Sequence, residues 1–167
     1  MTTRICRLLV CLSLLLTLPA CAEEPVSNQQ GIVTWVHDGD TLEVDPVGKV
    51  RLAGIDTPER ENSDRDRYLA DKGITAAKQR EIYWSAKEFN IRHVKGQQVS
   101  LILEDPPRDR HGRLLAYAYL TDGRLLNRLL IEQGLAVVYR RFTFKQKEDF
   151  LAAEEQARKD KLGLWAE

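Results

Sequence analysis

The chain has no cysteine beyond residue 22, because all three of its cysteines, Cys6, Cys11 and Cys21, lie in its first 22 residues. The remaining 145 of the 167 residues therefore form no disulfide bond and no thiolate metal site. No internal repeat and no low-complexity segment is present either, which excludes a repeat architecture. What remains is long enough for one domain with a single hydrophobic core, and its stability must come from that core.

The chain also has no excess of positive charge. It carries 25 Lys and Arg and 25 Asp and Glu, and removing Arg4 and Arg7 with the first 22 residues leaves 23 basic against 25 acidic side chains. A protein that only coats nucleic acid is usually basic, so this class is excluded. Any binding to nucleic acid must depend on a local patch, whose candidate residues are Arg108, Arg110, Arg113, Arg140, Arg141, Lys145 and Lys147.

Residues 1–22 have the three-part pattern of a secretory signal peptide. Arg4 and Arg7 give a basic start, residues 8–18 are an apolar run, and small residues flank Cys21. The apolar run is too short to serve as a transmembrane helix. We therefore predict that the protein is exported from the cytoplasm.

Two cleavage patterns overlap at the end of this segment. Residues 18–21 approximate a bacterial lipobox, in which the cysteine is lipidated after cleavage in front of it, although Pro19 departs from the pattern. Residues 20–22 also satisfy the small-x-small rule of ordinary signal cleavage, which would release a soluble protein beginning at Glu23. The first alternative, which we favour, predicts a membrane-anchored lipoprotein attached through Cys21. The second predicts a secreted or periplasmic protein.

The pattern of apolar residues predicts one domain over residues 31–166, preceded by a polar tether at residues 23–30. Alternating and β-branched stretches predict five strands, at residues 32–36, 41–44, 50–53, 99–103 and 114–120. Helical spacing predicts three helices, at residues 74–94, 125–133 and 144–162. The densely charged residues 60–72 are predicted to form a mobile surface loop. This order is typical of an α+β OB-fold, a five-stranded β-barrel with three helices whose strands and loops can face an oligonucleotide.

Three carboxylates and an arginine stand at the ends of two predicted strands. Asp40 and Asp56 could share a hard metal ion, and the scarcity of His and Cys nearby favours calcium or magnesium over zinc. Glu59 could take a proton from water. Arg51 lies among apolar neighbours, where an unpaired charge would be costly to bury, and this position favours a functional role such as binding phosphate.

A second arginine, Arg113, follows in the motif of residues 109–113. Guanidinium is planar, permanently charged and able to bond two phosphate oxygens at once. Two arginines, a metal pocket and one spare carboxylate are the parts that phosphodiester hydrolysis requires. Asp109, the first residue of the motif, is assigned no direct chemistry.

These motifs together resemble the staphylococcal (thermonuclease-like) nuclease family. The resemblance runs from about Gly31 to Trp165. It is carried in family order by residues 38–41, 51–59, 109–113, 115–117 and 127–136, and then by Ala153, Glu154, Ala157 and residues 162–165. It implies an OB-fold endonuclease, a monomer, that hydrolyses DNA and RNA with calcium. Water would attack phosphorus and the 5′-oxygen would leave, so that the products carry 3′-phosphates.

The resemblance also implies a role for each candidate residue. Asp40, Asp56 and the carbonyl of Thr57 would bind calcium. Glu59 would be the general base, and Arg51 and Arg113 would bind the phosphate that is attacked.

Three further residues would bind the substrate by the same resemblance. Arg110 and His111 would contact its terminal phosphate, and Tyr139 would line the nucleotide pocket. His111 departs from the family, which has tyrosine there, and its alternative is a solvated polar side chain. The alternative function for the whole chain is a non-catalytic OB-fold module that binds nucleic acid. Such a module would be expected to lose some of its site residues, whereas this chain retains all five, Asp40, Arg51, Asp56, Glu59 and Arg113.

Overall fold

The computed structural model describes residues 28–166 of the chain. The predicted signal peptide and residues 23–27 of the predicted tether lie outside these described residues. No helix within residues 28–166 combines the length and the apolar character needed to cross a membrane.

The structure contains a barrel of five strands, which are β1 (Asn28–Val36), β2 (Thr41–Asp45), β3 (Gly48–Leu52), β5 (Gln98–Arg108) and β6 (Leu114–Tyr119). The barrel is closed, and its strands neighbour each other in the order β1-β2-β3-β6-β5. Every neighbouring pair is antiparallel except β3 with β6, which is parallel. The closed barrel confirms the predicted five-stranded α+β fold.

The first strand is longer than predicted. Its second half pairs with β2, from Ile32 opposite Asp45 to Val36 opposite Leu42. Its first half, residues 28–32, pairs with β5 and so closes the barrel. The last three residues of the predicted tether, 28–30, are therefore strand and belong to the barrel.

A small two-stranded sheet lies beside the barrel. It pairs β4 (Ile55–Asp56) with β7 (Val137–Val138), with Asp56 opposite Val137. The amide of Tyr139 then donates to the carbonyl of Gly54 at 2.9 Å. This pairing places the residues after β7 next to the loop that follows β3.

The three predicted helices are present, and a fourth lies in the segment predicted to be a mobile loop. The short helix α1 (Asp66–Ala70) occupies part of residues 60–72 and buries Leu69 in the core. Gln79 fixes it, because its buried amide donates to the carbonyls of Asp66 and Ile74 at 3.3 and 3.1 Å. The three predicted helices are α2 (Ala76–Val94), α3 (Leu126–Glu132) and α4 (Lys147–Lys159), and a 3₁₀ turn follows (Gly163–Trp165).

Asn127 ties α3 to the barrel. Its buried amide donates to the carbonyls of Ala53 and Ala116 at 2.9 and 3.2 Å and accepts from the amide of Ala118 at 3.0 Å. Ala53 directly follows β3, whereas Ala116 and Ala118 belong to β6. One side chain thus holds the end of the strand that carries Arg51.

Glu154 on α4 is fully buried and holds three groups together. It accepts from the amide of Val138 at 2.9 Å and pairs with Arg140, while Arg158 lies 3.3 Å away. Burial by itself would raise the pKa of this carboxyl. The hydrogen bonds from Arg140 and Val138 and the charges of both arginines outweigh burial and hold the pKa below its usual range.

Replacing Glu154 by Gln is expected to lower the free energy of unfolding at pH 7 by about 2–3 kcal/mol, because a buried ion pair is broken. A carboxyl whose pKa is lowered by folding stabilises the fold above its unfolded pKa, about 4.3. That stabilisation is lost as pH falls through the folded pKa. The difference in free energy of unfolding between wild type and variant, measured by urea unfolding, should therefore shrink below about pH 4.

Glu155→Gln is the matched control. It removes an exposed pair with Lys159, so it should change the free energy of unfolding little. Equal losses from both would contradict the buried-pair role.

Candidate active site

The turn between β1 and β2 is clamped from two sides. A β-carbon on Gly39 would lie 2.7 Å from Cβ of Ala86 on α2 and 2.7 Å from Cγ2 of Thr57, so only glycine fits there. The buried amide of Asn90 donates to the carbonyl of Gly39 at 2.8 Å. Asp38 closes the turn by accepting from the amide of Asp40 at 3.0 Å, which is a structural role.

Asp40 follows this turn, and its buried carboxylate is fully engaged. One oxygen, Oδ1, accepts from the hydroxyl of Thr41 at 3.1 Å and pairs with Nη1 of Arg51. The other, Oδ2, accepts from both the amide and the hydroxyl of Thr57, each at 3.0 Å. These contacts occupy the roughly four acceptor positions of a carboxylate and fix its orientation.

Arg51 joins Asp40 to Asp56. Its guanidinium is buried on β3, next to β2, where Arg51 stands opposite Thr41. Nη2 donates to Oδ1 of Asp56 at 2.6 Å and to the carbonyl of Ile55 at 3.2 Å. Burial lowers the pKa of Arg51, and the charge of Asp56 offsets part of that effect. Two carboxylates thus meet at one guanidinium, as their placement at two strand ends suggested.

Glu59 lies beside this network, and Arg65 connects the two. Nη1 of Arg65 donates to Oε1 of Glu59 at 2.5 Å and lies 3.5 Å from Oδ1 of Asp56. Burial by itself would lower the pKa of Arg65, but the charges of Asp56 and Glu59 raise it overall. The sequence did not reveal Arg65, because it lies in the charged segment predicted to be a mobile loop.

Arg113 is held in place by Asp109. Nε and Nη2 of Arg113 lie 2.8 and 2.7 Å from Oδ2 of Asp109, whose Oδ1 accepts from the amides of His111 and Arg113. Burial would raise the pKa of Asp109, but these hydrogen bonds keep it below its usual range. Nη1 of Arg113 donates to the hydroxyl of Thr41 at 3.4 Å, and Thr41 in turn donates to Asp40. Asp109, assigned no direct chemistry from sequence, is therefore a positioning residue for Arg113.

The side chains of two predicted substrate-binding residues, Arg110 and His111, lie outside this network, whereas the third residue, Tyr139, is close enough to contribute to the raised pKa of Arg65. Arg110 and His111 are exposed in the loop between β5 and β6, where Nε of Arg110 donates to Nε2 of His111 at 3.1 Å. Tyr139 is half-buried, and its ring centroid lies 5.7 Å from that of the exposed Phe142. The contacts within residues 28–166 do not join these side chains to Asp40 or Arg51.

Three cations of the predicted basic patch have partners within the fold. Arg140 pairs with Glu154. Lys147 donates to the carbonyl of Phe142 at 3.0 Å, and Arg108 donates to that of Gly112 at 2.6 Å. These three side chains serve the fold, so the patch is smaller than the sequence indicated.

The residues that could hold a metal ion are Asp40 and Asp56, provided that the ion takes the place of Arg51, which pairs with one oxygen of each carboxylate. Over residues 28–166, no group of three or more His, Cys, Asp and Glu side chains is arranged to do so. Both carboxylates pair with Arg51. Their negative charges therefore lie close together, around a position that the Arg51 guanidinium occupies. A donor set of carboxylate oxygens fits a hard divalent cation such as calcium, which also accepts main-chain carbonyls and water.

Comparison with known proteins identifies the family of this chain. Residues 49–167 match the family model described as staphylococcal nuclease homologue. The thermonuclease of Staphylococcus hyicus is 34% identical over 140 residues, which cover 80% of this chain and 74% of that protein. Endonuclease YncB of Bacillus subtilis is 34% identical over 135 residues, covering 77% of this chain and 58% of that protein.

An uncharacterized protein of Methanocaldococcus jannaschii is 35% identical over 147 residues, covering 81% of this chain and 70% of that protein. The matched span contains Arg51, Asp56, Glu59 and Arg113, whereas Asp40 lies in front of it. The chain therefore belongs to the family of staphylococcal nuclease homologues.

Proposed function

We propose that this protein is a calcium-dependent endonuclease that hydrolyses phosphodiester bonds in DNA and RNA. The observation that carries the proposal is the convergence of Asp40, Asp56, Arg51 and Arg113 in one hydrogen-bonded network, with Glu59 beside it. The names of the thermonuclease and endonuclease relatives support it.

The metal would be held by Asp40, Asp56 and the carbonyl of Thr57. When bound, calcium would supply positive charge to a phosphate oxygen and would make water a better nucleophile. The donors Thr41, Thr57 and Arg51 orient the Asp40 carboxylate before any ion binds. Such preorganisation reduces the cost of forming the site.

Arg51 and Arg113 would bind the phosphate. To do so, Arg51 would turn from its present partners, Asp40 and Asp56, to phosphate oxygens. Arg113 keeps Nε and Nη2 on Asp109 and presents Nη1 to the phosphate from the side of Thr41. Negative charge grows on the phosphate oxygens as water attacks, so both contacts strengthen in the transition state.

Glu59 would act as the general base. Its carboxylate is partly exposed and pairs with Arg65 on one oxygen, which leaves the other free to accept a proton from the attacking water. Water adds to phosphorus, the bond to the 5′-oxygen breaks, and that oxygen takes a proton from solvent. The products carry a 3′-phosphate and a 5′-hydroxyl. Stacking and phosphate contacts carry little information about base identity, so sequence preference should be weak.

Calcium is expected to be required for hydrolysis of single-stranded DNA, with magnesium a poor substitute. A site with two carboxylates and room for water suits the loose coordination of calcium better than the strict octahedron of magnesium. The measurement is degradation of single-stranded DNA by the purified mature protein with calcium, with magnesium, with zinc, and with excess chelator. Full activity in chelator, or a preference for zinc, would contradict the proposal. Binding of DNA without hydrolysis under every condition would favour the non-catalytic module.

We also propose that the protein acts outside the cytoplasm, either as a lipoprotein anchored through Cys21 or as a soluble form. The motivation is the signal-like pattern of residues 1–22. Mass spectrometry of the mature N-terminus separates the alternatives. A lipid-modified Cys21 supports the anchor, an unmodified Glu23 start supports the soluble form, and an intact Met1 overturns both.

A further inference from the structure

Trp84 is a large aromatic side chain that is left exposed beside the candidate active site. It lies on α2 with 53% of its surface exposed. The guanidinium carbon of Arg60 is 5.7 Å from the centroid of its ring. Arg60 directly follows Glu59, so a single peptide bond separates the residue that contacts this ring from the candidate base.

Tyr83 is the buried neighbour of Trp84 on α2. Its ring is buried and meets that of Trp84 edge-on, with centroids 5.0 Å apart and an angle of 81°. The pKa of the Tyr83 phenol is raised by burial and by the charges of Asp38 and Glu59, while Arg60 opposes the shift. Tyr83 therefore lies within electrostatic reach of the active-site turn and of Glu59, and Trp84 is the next residue outward.

The positive charge of Arg60 is not neutralised by a carboxylate within the described residues. Within residues 28–166 Arg60 forms no ion pair, and its guanidinium lies over the ring of Trp84. A guanidinium that stacks on an indole keeps its N–H groups available for phosphate. The exposed ring and the unused cation together complement a base and its phosphate.

We propose that Trp84 and Arg60 form a stacking platform for one nucleobase of a single-stranded nucleic acid whose scissile phosphate is held at Arg51 and Arg113. The inference rests on the proposed function and names a determinant of its substrate. Single-stranded nucleic acids bind proteins through bases stacked on aromatic rings and phosphates bound by cations. In a duplex the bases are paired and stacked on each other, so the platform favours single strands over duplexes.

Trp35 provides a matched control. It is 52% exposed, and Nζ of Lys95 lies 4.9 Å from the centroid of its ring, so it too is an exposed tryptophan under a cation. Lys95 follows the end of α2, eleven residues after Trp84, which is about 16 Å along a helix axis. Trp35 thus shares the exposure and the cation contact but not the position beside Glu59.

The test is the dissociation constant for a fluorescent single-stranded hexathymidylate, measured by anisotropy with calcium in the Glu59→Gln background to prevent turnover. Adding Trp84→Ala is expected to raise the dissociation constant about tenfold, as loss of one stacked base does. Trp84→Phe should raise it by less than about threefold, because phenylalanine still stacks. Trp35→Ala should leave it unchanged within about twofold. With an abasic hexamer, Trp84→Ala should have no effect, because there is no base to stack.

Several results would overturn the platform: no binding by the Glu59→Gln parent, no change in Trp84→Ala, equal loss in Trp35→Ala, or the same loss on the abasic chain. Thermal unfolding shows whether each variant is folded. If Trp84→Ala is not, Trp84→Leu takes its place, because leucine keeps an apolar side chain but offers no ring for stacking and should give a similar loss. If binding depends on Trp84 but the wild-type protein does not hydrolyse DNA, the proposed nuclease function is wrong and the platform stands. If the wild-type protein hydrolyses DNA but binding does not depend on Trp84, the nuclease function stands and the platform is wrong.

Discussion

Replacing Glu59 by glutamine is expected to lower kcat for single-stranded DNA by about 10²–10⁴-fold, the usual contribution of a general base. Glutamine has nearly the same shape and can still accept a hydrogen bond from Arg65, so the loop and its ion-pair neighbours should stay in place. It cannot take a proton from water. The measurement is steady-state kcat and KM with saturating calcium, and KM should change much less than kcat.

Glu61→Gln is the matched control for this prediction. Glu61 lies in the same loop, is exposed, and has no role in the proposed chemistry, so its replacement should leave kcat within about twofold. Equal thermal unfolding of the two variants would exclude misfolding as the cause. A Glu59→Gln variant with near-wild-type kcat would show that Glu59 is not the general base.

The barrel could be predicted because its signals are local. In β2 and β6, apolar side chains recur at the spacing that a half-buried strand requires, and the structure buries Leu42 and Val44 together with Ala116 and Ala118. The turns between strands are marked by glycine or proline. A fold class that depends on such short-range patterns is available from the sequence alone.

The strand formed by residues 28–30 and the helix α1 could not be predicted, because both depend on contacts with residues far away in the sequence. Residues 28–30 are polar and partly exposed, and they become strand only through pairing with β5, some 70 residues later. Charged residues surround Leu69, so its burial is invisible to a periodicity argument. The helix that carries Leu69 is held by Gln79, a buried amide on the next helix.

The site could be predicted in its composition but not in its supporting contacts. Asp40 and Arg51 flank a short hairpin, so their proximity follows from the pairing of β2 with β3. Arg65 was not predicted, and Asp109 was assigned no direct chemistry, because the supporting roles of both depend on side-chain geometry. The sequence offered one signal for the role of Asp109. Asp109 and Arg113 are four residues apart in a turn that contains glycine, and this spacing allows the carboxylate to bind the guanidinium within the same loop.

Replacing Arg113 by lysine is expected to lower kcat/KM for single-stranded DNA by about 10²–10³-fold, the range seen when one donor to the transition state is lost. Arg113 holds Asp109 with Nε and Nη2 while Nη1 is directed toward Thr41. A lysine ammonium is a point charge and cannot satisfy an anchor and a phosphate in two directions at once. Arg128→Lys is the matched control, because Arg128 also pairs with a carboxylate four residues away, Glu132, but lies on α3; its activity should match wild type.

Asp109→Asn is expected to be milder, at about tenfold in kcat/KM, because Arg113 keeps its charge and loses only its anchor: the one oxygen of asparagine can still accept from the main-chain amides, but its NH2 group cannot accept from the guanidinium. If Asp109 acts only through Arg113, its replacement should cost almost nothing further in the Arg113→Lys background. That non-additivity is what coupled residues show in a double-mutant cycle. Fully additive losses, with all variants folded, would mean that Asp109 has a role of its own. An Arg113→Lys variant as active as Arg128→Lys would show that the second arginine does not bind the phosphate that is attacked.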